Sequence, residues 1–119
     1  MKRSVSVLLF IVSIPMAHAS EYMKRDGALS LFQHDGDVEF NINASHGNTS
    51  GVCNMEGIAR SVGAGTGQRN RWTYSDPTSA CVAVISELND GSISVMTRSC
   101  ENYCGVSAEG ALDGKYMMK

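Results

Sequence analysis

The chain has 119 residues, with ten basic and twelve acidic side chains, four cysteines and a net charge of −2. This length fits a single domain. An acidic chain without a basic tract argues against nucleic-acid binding, whose affinity comes from neutralised phosphates, and it suits a basic protein partner better.

The first nineteen residues predict a secretory signal peptide. Lys2 and Arg3 precede an apolar run over 5–17, and a small-x-small pattern follows at 17–19. The run is too short to span a bilayer, which needs roughly 20 apolar residues, but it fits a signal cleaved after Ala19. We therefore expect a periplasmic mature chain with no membrane contact. It would be a single β domain over 20–119, with a net charge of −4 once Lys2 and Arg3 are lost.

Alternation of apolar and polar residues predicts a series of antiparallel strands, some of them joined by tight Asp-Gly turns. The polar stretch 20–26 is expected to be irregular. The predicted strands are 28–32, 38–44, 51–60, 71–75, 80–88 and 93–97, with one or two closing strands in 106–108 and 115–118. The continuous apolar run 80–88 is expected to be central and covered on both faces. The sequence thus predicts an all-β fold, a small antiparallel sandwich or barrel of seven or eight short strands.

The aromatic and methionine side chains of these strands are expected in the core. Trp72 and Tyr74 share one side of the strand 71–75, where large aromatics usually bury. Met117 and Met118 are expected in a last strand tucked against the core, since methionine fills irregular gaps. An exposed sheet edge could pair two copies into a homodimer.

The four cysteines predict two disulfides, because an even count in a small exported domain indicates a disulfide framework. They are Cys53, Cys81, Cys100 and Cys104. Four cysteines allow three connectivities, and we favour Cys53–Cys81 with Cys100–Cys104. Chain entropy would assign roughly 3.5 kcal/mol to the first bond and about 2 kcal/mol to the second.

The sequence offers no recognisable catalytic or metal-binding motif: no GxSxG, HExxH or phosphate loop occurs. His34 beside Asp35 reads as a solvated turn rather than a base with its orienting acid. Neither His34 nor His46 has companions at ligand spacing, and the C-x-x-x-C pair matches zinc poorly. We expect no metal, no cofactor and no catalytic residue.

Two polar stretches are candidate contact surfaces, and both are expected to be loops. The stretch 61–71 places three glycines before a run of side-chain donors, and the stretch 43–51 contains a histidine. Each could be a solvated connector. Alternatively, one of them enters a partner's cleft, where arginine would bind carboxylates. The candidate inhibitory contact residues are Gln68, Arg69, Asn70, Arg71 and His46.

Two motifs carry a family resemblance: C-x-x-E-G-x-A at Cys53–Ala59 and C-x-x-Y-C-G at Cys100–Gly105. Over about 51–116 the chain resembles small exported proteins of the lysozyme-inhibitor-like and immunity-like kind. With its signal included, it is most similar to periplasmic immunity proteins of type VI secretion systems. Those proteins neutralise VgrG-type effectors that carry a lysozyme-like peptidoglycan hydrolase domain. The resemblance implies a non-enzymatic protein that occludes the cleft of a cognate hydrolase.

Two other functions stay open from the sequence. One is an envelope binding module, structural or carbohydrate-binding, in which Trp72 and Tyr74 would stack on sugar. The other is a small secreted enzyme assembled from distant residues.

Overall fold

The computed structural model describes residues 19–46, 51–105, 108 and 110–119. Their strands form a closed antiparallel barrel in which each strand pairs with its neighbours in chain order and β8 pairs back onto β1. The strands are β1 Ser20–Lys24, β2 Gly27–His34, β3 Asp37–Ser45, β4 Val52–Val62, β5 Gln68–Ser75, β6 Val82–Leu88, β7 Ile93–Arg98 and β8 Gly114–Met118. A short 3₁₀ helix, Glu101–Tyr103, follows β7. The predicted all-β class is confirmed, and the architecture is the barrel.

The Asp-Gly turns lie where the sequence predicts them. Asp35 and Gly36 join β2 to β3 with φ of 48° and 94°, so both central residues have the positive φ of a type I′ hairpin turn. Between β6 and β7, Asp90 accepts hydrogen bonds from the backbone and the hydroxyl of Ser92. Gly91 there has a φ of 89°. These turns set the strand register.

Alternate residues of each strand point into the barrel and form one core. In β3 the inward residues Val38, Phe40, Ile42 and Ala44 are all buried, as their alternation predicts. The same phase in β4 buries Cys53, Met55 and Ala59. Each fully buried aliphatic or aromatic side chain of this size contributes about 1.5–3 kcal/mol.

Three local expectations are wrong. The stretch 20–26 is not irregular, because β1 pairs with β2 from Ser20 to Lys24 and buries Tyr22. The run 80–88 is not fully covered on both faces, because a barrel wall has one layer: Ala83 and Ile85 are buried inside, whereas on the outer face Val84 is half-buried and Ser86 is buried. Met117 and Met118 do not reach the core, as they are 52% and 61% exposed.

Of the one or two last strands predicted in 106–108 and 115–118, the described residues form one, β8. It contains the predicted strand 115–118 and buries Tyr116. Residues 106 and 107 lie outside the described part of the chain, and Ala108 is buried in the connection before β8.

The disulfides are Cys53–Cys104 and Cys81–Cys100, so the favoured pairing is wrong. Strand pairing explains the outcome: Val82 of β6 pairs with Arg98 of β7, which brings the cysteines just beyond them together. Cys104 forms an isolated β-bridge with Cys53. The bonds span 51 and 19 residues, for which chain entropy gives about 4 and about 3 kcal/mol.

The two ends of the barrel differ. Strand direction alternates, so the β1–β2, β3–β4, β5–β6 and β7–β8 connections share one end, here called the closed end. The β7–β8 connection covers it: Ala108, Ala111 and Leu112 belong to the core, and both disulfides tie this connection to the wall. The opposite end, here called the open end, carries the β2–β3, β4–β5 and β6–β7 connections.

The wall has a seam between β4 and β5. β4 pairs with β3 along Val52–Ala59 but with β5 only along Arg60–Val62. Tyr103 lies at this seam, where its hydroxyl donates to Asp76 at 2.6 Å and lies 3.1 Å from the hydroxyl of Tyr74. The short 3₁₀ helix therefore completes the wall that the strands leave unpaired.

Within the described ranges, none of the helices has the length and apolarity that a membrane crossing requires.

Candidate functional site

The open end of the barrel contains a cavity of about 320 Å³. Its lining residues come from five strands: Ser20, Tyr22, Leu31, Phe32, Gln33, Trp72, Glu87 and Ile93. This volume lies at the lower end of the range for ligand pockets, which combine apolar walls with a few convergent polar groups. The cavity has both, since inward core residues form its floor and Ser20, Gln33 and Glu87 bring polar atoms to it.

Trp72 fixes one side of the cavity. Its indole N–H donates to the carbonyl oxygen of Gly36 at 2.8 Å, which ties β5 to the β2–β3 turn. The side chain is 3% exposed, so the core position predicted from the sequence is confirmed. Tyr74 is half-buried nearer the closed end, against Phe40 and Tyr103. The two aromatics therefore do not form an exposed platform.

Glu87 is the charged group of the cavity. One fifth of its side chain is exposed, and its Oε1 accepts a hydrogen bond from Asn70 at 2.7 Å. Arg69 lies 3.8 Å from Oε2 and makes its shorter contact, 2.7 Å, to the carbonyl oxygen of Asn89. Burial raises the pKa of the Tyr22 hydroxyl, and the negative charge of Glu87 raises it further. The cavity thus has a carboxylate beside a neutral phenol.

The predicted loop 61–71 is wrong at both ends, because β4 reaches Val62 and β5 begins at Gln68. Only 63–67 connect the strands. Gln68 accepts a hydrogen bond from the backbone N–H of Gly65 at 2.8 Å, and Arg71 donates to the carbonyl oxygen of Gly63 at 3.0 Å. Two of the predicted contact side chains, Gln68 and Arg71, therefore bind their own chain and brace this loop; their contact with a partner stays a prediction.

Arg69 and Asn70 have a related role at the rim. The β5–β6 register shifts between Gln68 and Asn70, which makes Arg69 the extra residue of a bulge. Both side chains contact Glu87. The four predicted residues 68–71 therefore lie together at the open end, where they position the loop and the carboxylate.

His46 does not join this group. It follows the last residue of β3 and therefore lies at the closed end. The rest of the second predicted loop divides in two: 43–45 are part of β3, and 47–50 lie outside the described residues. His34 lies at the β2–β3 turn, exposed and 3.5 Å from Glu39.

The cavity is not among the features predicted from the sequence, although the sequence contains one signal for it. In the run 80–88 the inward positions are 83, 85 and 87, so Glu87 continues the phase of two buried apolar residues. Gln33 and Ser20 continue the inward phases of β2 and β1 in the same way. A polar residue at an inward position near the end of a strand therefore indicates the open end of a barrel.

No cluster of three or more histidine, cysteine or acidic side chains suited to a metal ion occurs in the described part of the chain.

The fold and site define a small closed β-barrel with a disulfide-anchored end and an open end that carries a cavity and a braced loop. Comparisons with family models, curated proteins and solved structures find no match to this chain.

Proposed function

We propose that this protein is a periplasmic immunity protein, which binds a lysozyme-like peptidoglycan hydrolase and blocks its cleft with the open end of the barrel. One observation carries the proposal: the β4–β5 loop, 63–67, is largely exposed yet held by side-chain bonds from both Gln68 and Arg71. A loop that is ordered before binding loses less conformational entropy in the complex.

The composition of the loop suits entry into a narrow groove. It reads Gly-Ala-Gly-Thr-Gly, so no side chain is larger than threonine and its backbone can approach a surface closely. Gly67 has a φ of 81°, which favours glycine at that position. A cleft shaped for a polysaccharide strand is long and narrow, and a thin loop can fill it without reacting.

Charge supports the same partner. The mature chain would have a net charge of −4, and a hydrolase of an anionic polymer is often basic around its cleft. Opposite net charges speed encounter and orient the partners. The guanidinium of Arg69 is about half exposed beside the loop, where it is available to a carboxylate of the target.

The two disulfides support export to an oxidising compartment such as the periplasm. They lie at the end opposite the loop, so they anchor the barrel without occupying the contact face. A target of standard interface size would bury roughly 1,600 Å² in total.

Inhibition of muramidase activity by the mature chain, 20–119, tests the proposal. The assay measures lysis of purified peptidoglycan by the hydrolase domain of a cognate VgrG-type effector, and we expect inhibition near a one-to-one ratio. Thr66→Trp places bulk on the loop and should weaken inhibition at least tenfold. Asn102→Trp places the same bulk at the closed end and should not. Lysis that persists at large excess of the wild-type protein would refute the proposal, and binding to peptidoglycan without any hydrolase would favour a carbohydrate-binding module.

A further inference from the structure

We propose that the outer wall of β2, β3 and β4 binds an uncharged sugar chain, with its polar groups on Asn41, Asn43 and Glu56 and one sugar ring against Phe32. The inference goes beyond the proposed function, because this wall is separate from the β4–β5 loop and would bind its ligand without a hydrolase.

Polar side chains are concentrated on this wall, where neighbouring strands place them in rows. The register puts Ser30, Asn41 and Glu56 side by side in one row. Asn43 is the next outward residue of β3, and Phe32 is the next outward residue of β2. Adjacent strands lie about 4.8 Å apart, so the row spans about 10 Å from β2 to β4. Two linked sugar rings cover a similar length.

Two shallow cavities on the wall meet at Asn41 and Glu56. One has a volume of about 340 Å³ and includes Phe32, and the other has about 400 Å³, includes Asn43 and reaches Tyr103 at the seam. Both volumes fall in the range of small-molecule sites, which combine apolar contacts with a few placed polar groups. An extended ligand can therefore cross the wall from one cavity to the other.

An aromatic surface lies beside the polar row. The rings of Phe32 and His34 have centroids 4.8 Å apart with 33° between their planes, and both residues occupy outward positions of β2. Aromatic rings bring a large apolar face to a contact at low entropy cost. The C–H face of a sugar ring is apolar, so it can pack on Phe32 while the hydroxyl groups reach the polar row.

A chain of hydrogen bonds orients the polar groups before a ligand binds. The side-chain amide of Asn43 donates to Oδ1 of Asn41 at 3.0 Å, and the amide of Asn41 donates to Oε1 of Glu56 at 3.1 Å. A carboxylate only accepts, so Glu56 fixes the direction of both amides. Each amide has two N–H groups and uses one of them in this chain. The second N–H of each asparagine can donate to a sugar hydroxyl or to the carbonyl oxygen of an acetamido group.

The charge of the wall disfavours an anionic ligand. Glu39 and Glu56 bring two carboxylates to the cavity that includes Phe32. Among the described residues, His34 is the basic side chain next to Glu39, at 3.5 Å. Two negative charges beside the ligand repel a carboxylated sugar. They would also attract a cationic amino sugar, so the test must separate recognition of amides and hydroxyls from attraction of charge.

The side-chain amides of the site serve as the reporters. The mature protein, labelled with ¹⁵N, is titrated with tri-N-acetylchitotriose and followed by NMR. Cellotriose, trigalacturonate and the deacetylated chitosan trimer are titrated in parallel at one ionic strength. We expect saturable shifts of the Asn41 and Asn43 amide signals with tri-N-acetylchitotriose, and about tenfold weaker binding of cellotriose, which offers no amide as a hydrogen-bond partner. Trigalacturonate should not bind, and the indole N–H signal of Trp72, which is buried in the barrel, should not move.

Matched variants assign the binding to the outer wall. Asn41→Ala removes the amide at the centre of the hydrogen-bond chain and should weaken binding about tenfold. Phe32→Leu keeps an apolar side chain but removes the flat ring, and it should weaken binding about fivefold. Asn89→Ala is the control, because Asn89 is also an exposed asparagine but lies at the open end, next to the β6–β7 turn; it should leave binding unchanged. Far-UV circular dichroism checks that each variant keeps the fold.

The outcomes separate this inference from the proposed function. Non-saturable shifts, tighter binding of the deacetylated trimer, or wild-type binding by a folded Asn41→Ala variant would overturn the sugar site even if the hydrolase is inhibited. Sugar binding that Asn41→Ala weakens, without any hydrolase inhibition by the wild type, would overturn the proposed function and leave the site standing. If both hold, Asn41→Ala should lose sugar binding and keep inhibition, and Thr66→Trp should do the reverse. Loss of both activities in a folded Asn41→Ala variant would overturn the separate sugar site.

Discussion

Trp72 donates its indole N–H to the carbonyl oxygen of Gly36 across 2.8 Å, and this bond joins β5 to the turn between β2 and β3. The two residues are 36 positions apart in the chain. The bond satisfies a polar group of a nearly buried side chain, and it holds two parts of the open rim at a fixed distance. The cavity between them is therefore part of the folded framework.

Trp72→Phe tests this link. The substitution keeps an aromatic ring but leaves the Gly36 carbonyl without its indole donor, for which the cost is about 1–3 kcal/mol. Urea denaturation followed by far-UV circular dichroism measures the free energy of unfolding. A loss within about 0.5 kcal/mol, the usual range for surface substitutions, would show that the bond contributes nothing to stability.

Gly57→Ala tests the packing of the seam between β4 and β5. A Cβ built on Gly57 would lie 2.6 Å from the Tyr74 ring, closer than real carbon atoms approach. Overpacking of this kind typically costs 1–3 kcal/mol, so we expect a loss in that range on urea denaturation. Gly63→Ala is the control, because a Cβ there meets nothing within 4 Å. Equal stability of the two variants would contradict the account of the seam.

The disulfides predict unequal losses of stability. Removing Cys53–Cys104 by a double serine substitution should cost about 4 kcal/mol and removing Cys81–Cys100 about 3 kcal/mol, because the first bond closes the longer loop. Thermal and chemical denaturation of the two variants measure the order. A non-reducing peptide map of the wild type that shows Cys100 joined to Cys104 would contradict the connectivity itself.

Asp76 predicts acid sensitivity. The hydrogen bond from Tyr103, followed by those from Thr78 and Ser79, holds the pKa of the Asp76 carboxyl far below its usual value of 3.8. A carboxyl with a lowered folded-state pKa stabilises the fold fully above its usual pKa, and this contribution is lost as the pH falls toward the folded value. We expect stability to decline below about pH 4, as a carboxyl with this usual pKa begins to protonate in the unfolded chain.

Asp76→Asn and Tyr103→Phe should both flatten this decline. The first removes the titrating group, and the second removes the largest cause of its lowered pKa. Urea midpoints between pH 7 and pH 2 measure the effect. A decline as steep in both variants as in the wild type would assign the acid sensitivity to other carboxyls.

The sequence predicts a strand well when several of its residues alternate between apolar and polar, and poorly when few do. β3 has four inward apolar residues in strict alternation and is predicted almost to its ends. β1 has one buried residue, Tyr22, and its pairing with β2 and β8 is decided by tertiary contacts. The disulfide pairing follows from the β6–β7 register, which places Cys81 beside Cys100 and which the spacing of cysteines does not encode.

The candidate site shows the same division. Donor-rich composition predicts 68–71 as contact residues, and the structure brings these residues together at one end of the barrel; their contact with a partner stays a prediction. The sequence does not predict whether these side chains bind their own loop or a partner. The same donor and acceptor groups serve both roles. The distinction needs the backbone positions of Gly63 and Gly65, which come from closure of the β4–β5 connection.

Arg71→Ala tests bracing against direct contact. If Arg71 acts by holding Gly63, its loss should increase picosecond-to-nanosecond motion of 63–67, seen as lower NMR order parameters in the unbound protein, and should weaken hydrolase inhibition. Gln68→Ala removes the other brace and should have the same two effects, although glutamine carries no charge for the partner. Arg60→Ala removes an exposed arginine from β4 and should change neither. A brace can act only through the order of the loop that it holds. We would therefore conclude that the Arg71 guanidinium contacts the partner directly if Arg71→Ala weakened inhibition without changing the order parameters of the loop, and if Gln68→Ala behaved like the wild type.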